Sequence, residues 1–209
     1  MKCRVCQNNI QTFMSFGKMP IANGFLKKED FEKEYFFDLS PAFCEKCFAF
    51  QIETQPDPKM MFHDNYAFFS KTSKHMQEHF KRYAEWVEKN FISKKENAFI
   101  IELGSNDGIL LENFVSKGIN HLGIEPSANV AEVSKKNGVN TVVEFFNQDV
   151  AHKVLETYGN ADAILAANVM CHIPDLNEIS KASKILLKDD GVLIFEDPSP
   201  TFDFGLDVQ

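Results

Sequence analysis

The stretch IIELGSNDGI, residues 100–109, passes from an apolar run through a glycine-rich turn into a second apolar run. The residues before the turn predict a buried strand, and those after it, which continue as LLENFVSKG, predict a helix. A strand, a glycine turn and a helix start together present backbone N–H groups and the positive end of a helix dipole to a ligand. The turn is therefore the first candidate binding site.

Apolar runs alternate with helical stretches on both sides of this turn. AFIIEL, HLGIEP, TVVEFF, DAILAANV and GVLIFE predict strands, and LLENFVSKG, NVAEVSKKNG and DLNEISKASKILLK predict helices between them. This alternation is typical of βαβ units, so we expect an α/β fold with a parallel sheet wound right-handedly. Upstream, apolar residues at helical intervals in 66–96 predict one amphipathic helix, or two joined near Ser73.

Charge and hydropathy exclude several classes of partner. Thirty acidic residues against 22 basic ones give a formal net charge of −8, which argues against a protein that binds nucleic acid. No apolar run reaches the length of a membrane span, and MKCRVCQNN at the N-terminus lacks the apolar region of a signal peptide. We expect a cytoplasmic protein with neither nucleic acid nor membrane as a partner.

Four of the five cysteines form two C-x-x-C pairs, Cys3 with Cys6 and Cys44 with Cys47. Each pair offers two thiolates on one tight turn, and two such turns can close a tetrahedral zinc site. An all-cysteine site leaves no position for water, so the metal would be structural, and the sequence does not distinguish zinc from iron. Free buried thiols and a redox-active C-x-x-C are the alternatives. Cys171 is interpreted as a packing residue.

The spacing and charge of the turn select its ligand. Gly104 and Gly108 form G-x-x-x-G and not the G-x-G-x-x-G of dinucleotide folds, which disfavours a dinucleotide-dependent dehydrogenase or epimerase. Glu102 and Asp107 would repel a pyrophosphate and suit a ligand that carries an ammonium and a sulfonium. Glu125 stands 21 residues after Gly104, at a strand end where a carboxylate can accept hydrogen bonds from ribose hydroxyls.

The motifs ELGSNDG, GIEPS and ANVMCHIPD, in that order, resemble the S-adenosylmethionine (SAM)-dependent methyltransferases. Two cysteine pairs, MFHDNYAFFSKTS and GIEPSANVAEV narrow the resemblance to the sugar C-methyltransferase family, over residues 3–198. That family has an N-terminal zinc-binding domain before a Rossmann-like class I methyltransferase domain. It acts on nucleotide-linked 4-keto-deoxysugars in deoxysugar biosynthesis. The resemblance implies a sheet of order 3-2-1-4-5 and three regions: a zinc-binding domain in 1–60, a helical connector covering the cofactor site in 61–97, and a SAM-binding domain in 98–209.

Roles for individual residues also follow from the resemblance. Tyr66 and His172 match positions that face the substrate sugar, and His172 could act as the base. The predicted cofactor residues are Ser70, Glu102, Gly104, Ser105, Asn106, Gly108, Glu125 and Asn168. Of these, Gly104, Ser105 and Asn106 face the methionine end of the cofactor, Glu125 its ribose, and Ser70 lies in a segment that folds over it.

The C-terminal region departs from the family pattern. Family members run to roughly twice this length, and a His-Glu-His-Phe-like segment after the fifth strand supplies their presumed base. Here the chain reads GVLIFEDPSPTFDFGLDVQ, without that histidine. We therefore expect a truncated methyltransferase domain that lacks the last strands, leaves GVLIFE as an apolar sheet edge and has impaired catalysis. The alternative is a non-enzymatic zinc- and SAM-binding subunit of a split enzyme, completed by a second polypeptide.

Overall fold

The structure, a computed structural model, describes residues 1–197. The segment PSPTFDFGLDVQ, in which the sequence departs from the family pattern, lies outside the described residues. The chain divides into two compact units, one of Met1–Phe68 with Pro174–Asn177 and one that holds the remaining residues from Phe69 onward. Among residues 1–197, no helix is both long enough and apolar enough to cross a membrane.

The N-terminal unit contains two small antiparallel hairpins. Strands β1 (Lys18–Pro20) and β2 (Phe36–Asp38) form one, and β3 (Pro41–Phe43) and β4 (Phe50–Ile52) form the other. Helix α1 (Pro58–Met61) follows, with Asp57 accepting a hydrogen bond from the backbone N–H of Lys59. The buried apolar cluster of this unit consists of Cys3, Ile10, Ala42 and Cys44. So small a core needs support beyond hydrophobic burial.

The second unit is a five-stranded parallel sheet with helices on both faces. Its strands are β5 (Phe99–Leu103), β6 (Asn120–Ile124), β7 (Thr141–Val142), β8 (Ala161–Ala167) and β9 (Leu187–Glu196). Its helices are α2 (Lys74–Val87), α3 (Glu112–Val115), α4 (Ala128–Lys136), α5 (Gln148–Tyr158) and α6 (Leu176–Leu186). The spatial order β7-β6-β5-β8-β9 confirms the predicted order 3-2-1-4-5 and the Rossmann-like class.

Alternation along β5 explains the two hydrophobic layers. Phe99, Ile101 and Leu103 pack with α5 and α6 on one face, whereas Ile100 packs with α2 and α3 on the other. Because both faces are covered, β5 is apolar along its length except for Glu102, which is itself only 3% exposed. This central strand carries the glycine turn, so the turn begins from a rigid, fully buried support.

Several predicted elements differ in extent from those observed. TVVEFF forms only the two-residue strand β7, and only Glu112–Val115 of LLENFVSKG is regular α-helix. Helix α5 was not predicted, although Asn147 caps it and Val150, Ala151 and Val154 form its buried stripe. The predicted amphipathic segment contains a 3₁₀ turn at Ser70–Thr72, helix α2 and a π-helical turn at Glu88–Ile92. Ser73 caps α2 by accepting a hydrogen bond from the N–H of Met76.

Candidate functional site

The four paired cysteines converge in the N-terminal unit. Their Sγ atoms all lie within 4.8 Å of one another, with Cys3 and Cys47 at 3.6 Å and Cys6 and Cys44 at 3.5 Å. A tetrahedral zinc with Zn–S bonds of about 2.3 Å needs sulfurs about 3.8 Å apart, so the cluster has the size of a metal cage. All five cysteines are free thiols. The redox alternative therefore gains no support from this geometry.

The two C-x-x-C turns have the same backbone design. The N–H of Gln7 donates to the carbonyl of Cys3 at 2.9 Å, and the N–H of Phe48 donates to that of Cys44 at 2.7 Å. Gln7 and Phe48 both adopt φ of 61°. Each turn thus reverses the chain directly after its second cysteine, which directs both thiols inward.

The protonation of the thiols also fits a cation. Burial raises the pKa of the Cys3 thiol, but backbone N–H donors and the Gln51 amide, 3.3 Å from its sulfur, outweigh burial and lower that pKa to about 6. For Cys47, the backbone N–H of Ala49 lowers the pKa, whereas burial and three neighbouring thiols raise it, to about 12. Four crowded thiols cannot all ionise unaided, and a divalent cation removes that obstacle.

The GSNDG turn in the second unit is held by left-handed backbone at three positions. Gly104, Asn106 and Gly108 have φ of 63°, 49° and 82°. A Cβ on Gly104 would lie 2.6 Å from Cγ2 of Val169, so no larger residue fits there. The glycines therefore serve close packing as well as access to a ligand.

Glu125, at the end of β6, fastens the turn to its own strand end. Its Oε2 accepts from the backbone N–H of Asn106 at 2.9 Å, and its Oε1 accepts from that of Ser127 at 2.8 Å. An ionised carboxylate has about four acceptor positions, so Glu125 retains acceptor capacity for a ligand hydroxyl. The position and remaining capacity of Glu125 suit the ribose role predicted for it.

The segment before α2 lies directly on the turn. The N–H of Ser70 donates to Oδ1 of Asn106 at 3.1 Å, and the N–H of Lys71 donates to Oδ2 of Asp107 at 2.9 Å. The Lys71 ammonium also pairs with Glu112. The structure therefore brings Ser70 to the turn, as the prediction for this residue requires.

Three carboxyl groups at the turn have raised pKa values. Burial raises the pKa of Glu102 well above its ordinary value, and the charges of Glu125 and Asp107 raise it further. Burial also raises the pKa values of Asp107 and Glu125, although backbone N–H donors oppose the effect. Ionised carboxylates are thus disfavoured here until a positive charge is nearby. This preference agrees with a cationic ligand and not with a pyrophosphate.

Buried polar atoms near the turn lack partners among residues 1–197. These atoms are Oε2 of Glu102, Oγ of Ser105, Oδ1 of Asp107 and Oγ of Ser127. Buried polar groups are almost always hydrogen-bonded, so such a group of atoms is typical of a binding site for a polar ligand. Two carboxylate acceptors and two hydroxyls fit an ammonium group and a polar nucleoside better than an apolar molecule.

The remaining predicted residues lie in different places. Asn168 directly follows β8 with φ of 56°, and its N–H donates to the carbonyl of Glu196 at 2.7 Å. His172 and Cys171 are exposed on the short 3₁₀ turn Met170–His172. Tyr66 belongs to the N-terminal unit, where its ring lies 5.7 Å from Phe62 and 5.6 Å from Phe68. The catalytic roles of Tyr66 and His172 stay predictions.

Sequence reasoning missed three contributors to this region. Lys71 contacts the turn through its backbone N–H, and Ser127 donates its backbone N–H to Glu125, which in turn holds Asn106. No side-chain motif encodes such backbone contacts. His79 forms a 2.7 Å contact with Glu196, 117 residues away. A motif search over short spacings cannot detect such a pair.

Two family descriptions match the chain. Residues 3–62 match a family described as "Putative zinc binding domain", and residues 74–208 match one described as "Methyltransferase domain". The second match covers well over half of the chain, including every strand of the parallel sheet.

The individual relatives are all methyltransferases. The chain is 27% identical over 199 residues to C-methyltransferase NovU of Streptomyces niveus, covering 94% of this chain and 47% of that protein. It is 30% identical over 98 residues to the ubiquinone biosynthesis O-methyltransferase of Colwellia psychrerythraea, covering 46% and 40%. The chain thus spans about half the length, or less, of the curated relatives it matches.

Solved structures give weaker likenesses. A SAM-dependent methyltransferase from Archaeoglobus fulgidus aligns with a TM-score of 0.49 and 19% identity, covering 60% of this chain and 54% of that one. The plantazolicin methyltransferase BpumL, in complex with a pentazolic analogue and SAH, aligns at 0.49 and 18%, covering 66% and 54%.

Proposed function

The chain belongs to the methyltransferase family, and from that premise we propose that it binds SAM at the GSNDG turn for transfer of a methyl group to carbon. The observation that carries the proposal is the set of three buried carboxyls with raised pKa values at the turn. A ligand with an ammonium and a sulfonium adds positive charge, which favours the ionised forms of these groups. Glu125 accepts hydrogen bonds from the ribose hydroxyls with its remaining lone pairs.

The four cysteines hold a structural zinc ion in this proposal. The sulfur cluster and the thin core of the N-terminal unit both support it. All four positions around the metal are thiolates, so the ion supplies folding energy and no catalytic water.

The proposed substrate is a nucleotide-linked 4-keto-deoxysugar. Support comes from the resemblance to sugar C-methyltransferases and from the likeness to NovU, which extends through both matched regions. In a 4-keto sugar, the carbon beside the ketone becomes nucleophilic when a base removes its proton. The bound cofactor offers a methyl group on a positively charged sulfur, and the residues of the chain orient the two partners.

Calorimetric titration of the zinc-loaded chain with SAM tests the binding proposal. We expect micromolar affinity, which falls about 10- to 100-fold in Glu125→Ala because charge-assisted hydrogen bonds contribute about 1.5–3 kcal/mol each. Glu156→Ala, which removes an exposed carboxylate from α5, is the matched control and should bind as the wild type does. NAD serves as the competing ligand for the dehydrogenase alternative and should not bind.

Each result has a defined meaning. Equal affinity in Glu125→Ala and Glu156→Ala would refute a ribose role for Glu125, and tight NAD binding with no SAM binding would refute the proposal as a whole. The predicted subunit of a split enzyme gives the same SAM binding but forms no methylated sugar without its complementing polypeptide. A turnover assay on the same sample separates these two functions.

A further inference from the structure

The carboxyl groups proposed to meet the cofactor are closed off from solvent. Glu102 and Asp107 are only 3% and 1% exposed. Oε2 of Glu102 and Oδ1 of Asp107 are buried and have no hydrogen-bond partner among residues 1–197. An ammonium group that bonds to these atoms cannot reach them from solvent while every neighbouring residue stays in place. An element beside the turn must therefore move when a ligand enters or leaves.

Residues 69–73, which we call the strap, are the element best able to move. The backbone N–H groups of Ser70 and Lys71 bond to the side chains of Asn106 and Asp107 at the turn. None of the residues of the strap is buried. An element held by polar contacts, without a share in the core, opens at a low cost in free energy.

The strap ends at a fixed support. Ser73 is the N-cap of α2, and Phe80, Ala84 and Val87 anchor that helix in the core. Motion of the strap therefore stops at Ser73 and leaves α2 in place. Loops that close over a bound ligand commonly turn about such a position at the end of a rigid element.

Lys71 connects the strap to three different elements. Its N–H donates to Oδ2 of Asp107 at the turn, and its carbonyl accepts from Nε2 of Gln77 on α2 at 2.7 Å. Its ammonium pairs with Glu112, the first residue of α3. The side chains of Lys71 and Glu112 are 37% and 29% exposed, so the pair is partly solvated and can break and re-form.

We propose that the ion pair between Lys71 and Glu112 holds the strap closed over the cofactor site, so that Lys71 is a positioning residue that sets the rates of SAM entry and release. This inference rests on the proposed function. The pair includes no atom of the cofactor, so it holds the strap equally with and without SAM. A weaker pair therefore opens the strap more often in both states, by the same factor. Association and dissociation accelerate together, and their ratio, the dissociation constant, stays the same.

An ion pair with a purely structural role has a different kinetic signature. A pair that lies on the surface without holding the strap leaves both rates unchanged when it is removed. A pair that shapes the turn itself would, on removal, slow association or speed dissociation alone, and so weaken the affinity. The two rate constants together distinguish these cases.

Stopped-flow kinetics of SAM binding to the zinc-loaded chain test the proposal. Lys71→Met with Glu112→Gln removes the pair without changing the net charge near the turn, and both rate constants should rise about two- to fivefold, the range expected for a half-exposed pair. Lys71→Glu with Glu112→Lys restores an ion pair in the opposite sense and should return both rates toward the wild-type values. Lys117→Met with Glu88→Gln, the matched control, removes a pair of similar exposure, 39% and 31%, outside the strap and the turn, and should bind SAM at the wild-type rates.

Amide hydrogen exchange reports the opening of the strap without any ligand. In the ligand-free chain, exchange of the Ser70 and Lys71 N–H groups, read by NMR, should accelerate by about the same two- to fivefold when the pair is removed. Unchanged exchange together with unchanged binding rates would overturn this inference alone, as would a change in affinity without parallel changes of both rates. No SAM binding by the wild type would refute the proposed function as well.

Discussion

Removal of the metal should unfold the N-terminal unit and leave the parallel sheet intact. Apart from two cysteines, the buried cluster of that unit contains only Ile10 and Ala42. Burial of these two side chains contributes about 3 kcal/mol, whereas a structural zinc ion contributes about 10–16 kcal/mol. In this proposal the metal is therefore the dominant stabilising interaction of the unit.

Hydrogen–deuterium exchange read by mass spectrometry measures this effect locally. After chelation, peptides from residues 1–60 should lose nearly all protection, while peptides containing β5 and β8 should keep theirs. Cys44→Ser should reproduce the chelated pattern because it removes a buried ligand thiolate. Cys171→Ser is the matched control, since Cys171 is exposed and lies outside the four-thiol cluster.

The result that would refute this reasoning is equally specific. Elemental analysis of the folded chain should find one zinc ion per chain, and less than about half an ion would contradict a four-thiolate site, given how tightly such sites bind. Unchanged protection of residues 1–60 after confirmed removal of the metal would show that the hairpins are stable without it.

Three further predictions concern the second unit. Burial raises the pKa of Glu102 above its ordinary value of 4.5. The contribution of this group to stability is therefore fully present below pH 4.5 and is lost as the pH rises through the raised pKa, at about 1.4 kcal/mol per pH unit. Thermal melts should show a flatter pH dependence in Glu102→Gln, and an unchanged slope would contradict this. Gly108→Ala should lower the free energy of unfolding in urea by about 2–4 kcal/mol, because φ is +82° and the new Cβ would lie 2.7 Å from Oγ of Ser134. Gly118 has φ of +68° and open space around it, so Gly118→Ala should lower the free energy of unfolding by only about 1 kcal/mol. Equal losses in the two variants would refute the predicted steric clash at Gly108. Tyr83→Phe removes a buried hydroxyl that has no partner among residues 1–197, so the ligand-free variant should be as stable as the wild type in urea, or about 1–3 kcal/mol more stable. A clear loss of stability would show that the hydroxyl has a partner.

Local signals were sufficient for the order of elements and for much of the site. The glycine turn after an apolar strand predicted the position of the candidate cofactor site, and the two C-x-x-C pairs predicted the sulfur cluster. The extents of elements were less predictable: TVVEFF continues the apolar pattern of a strand, yet only Thr141 and Val142 pair with β6. Strand length depends on the neighbour that is available to accept hydrogen bonds, and this information is not local.

By itself, the sequence determined the fold class, the strand order through its family resemblance, and the identity of the turn and of the cysteine pairs. Each of these follows from residues close together in the chain, whose spacing matches the period of a helix, a strand or a tight turn. Only the tertiary structure decided that Glu125 holds the backbone of Asn106, that Ser70 and Lys71 lie on the turn, and that His79 meets Glu196. These contacts join residues that are distant in sequence, and they form because the parallel sheet brings the carboxyl ends of its strands to one edge.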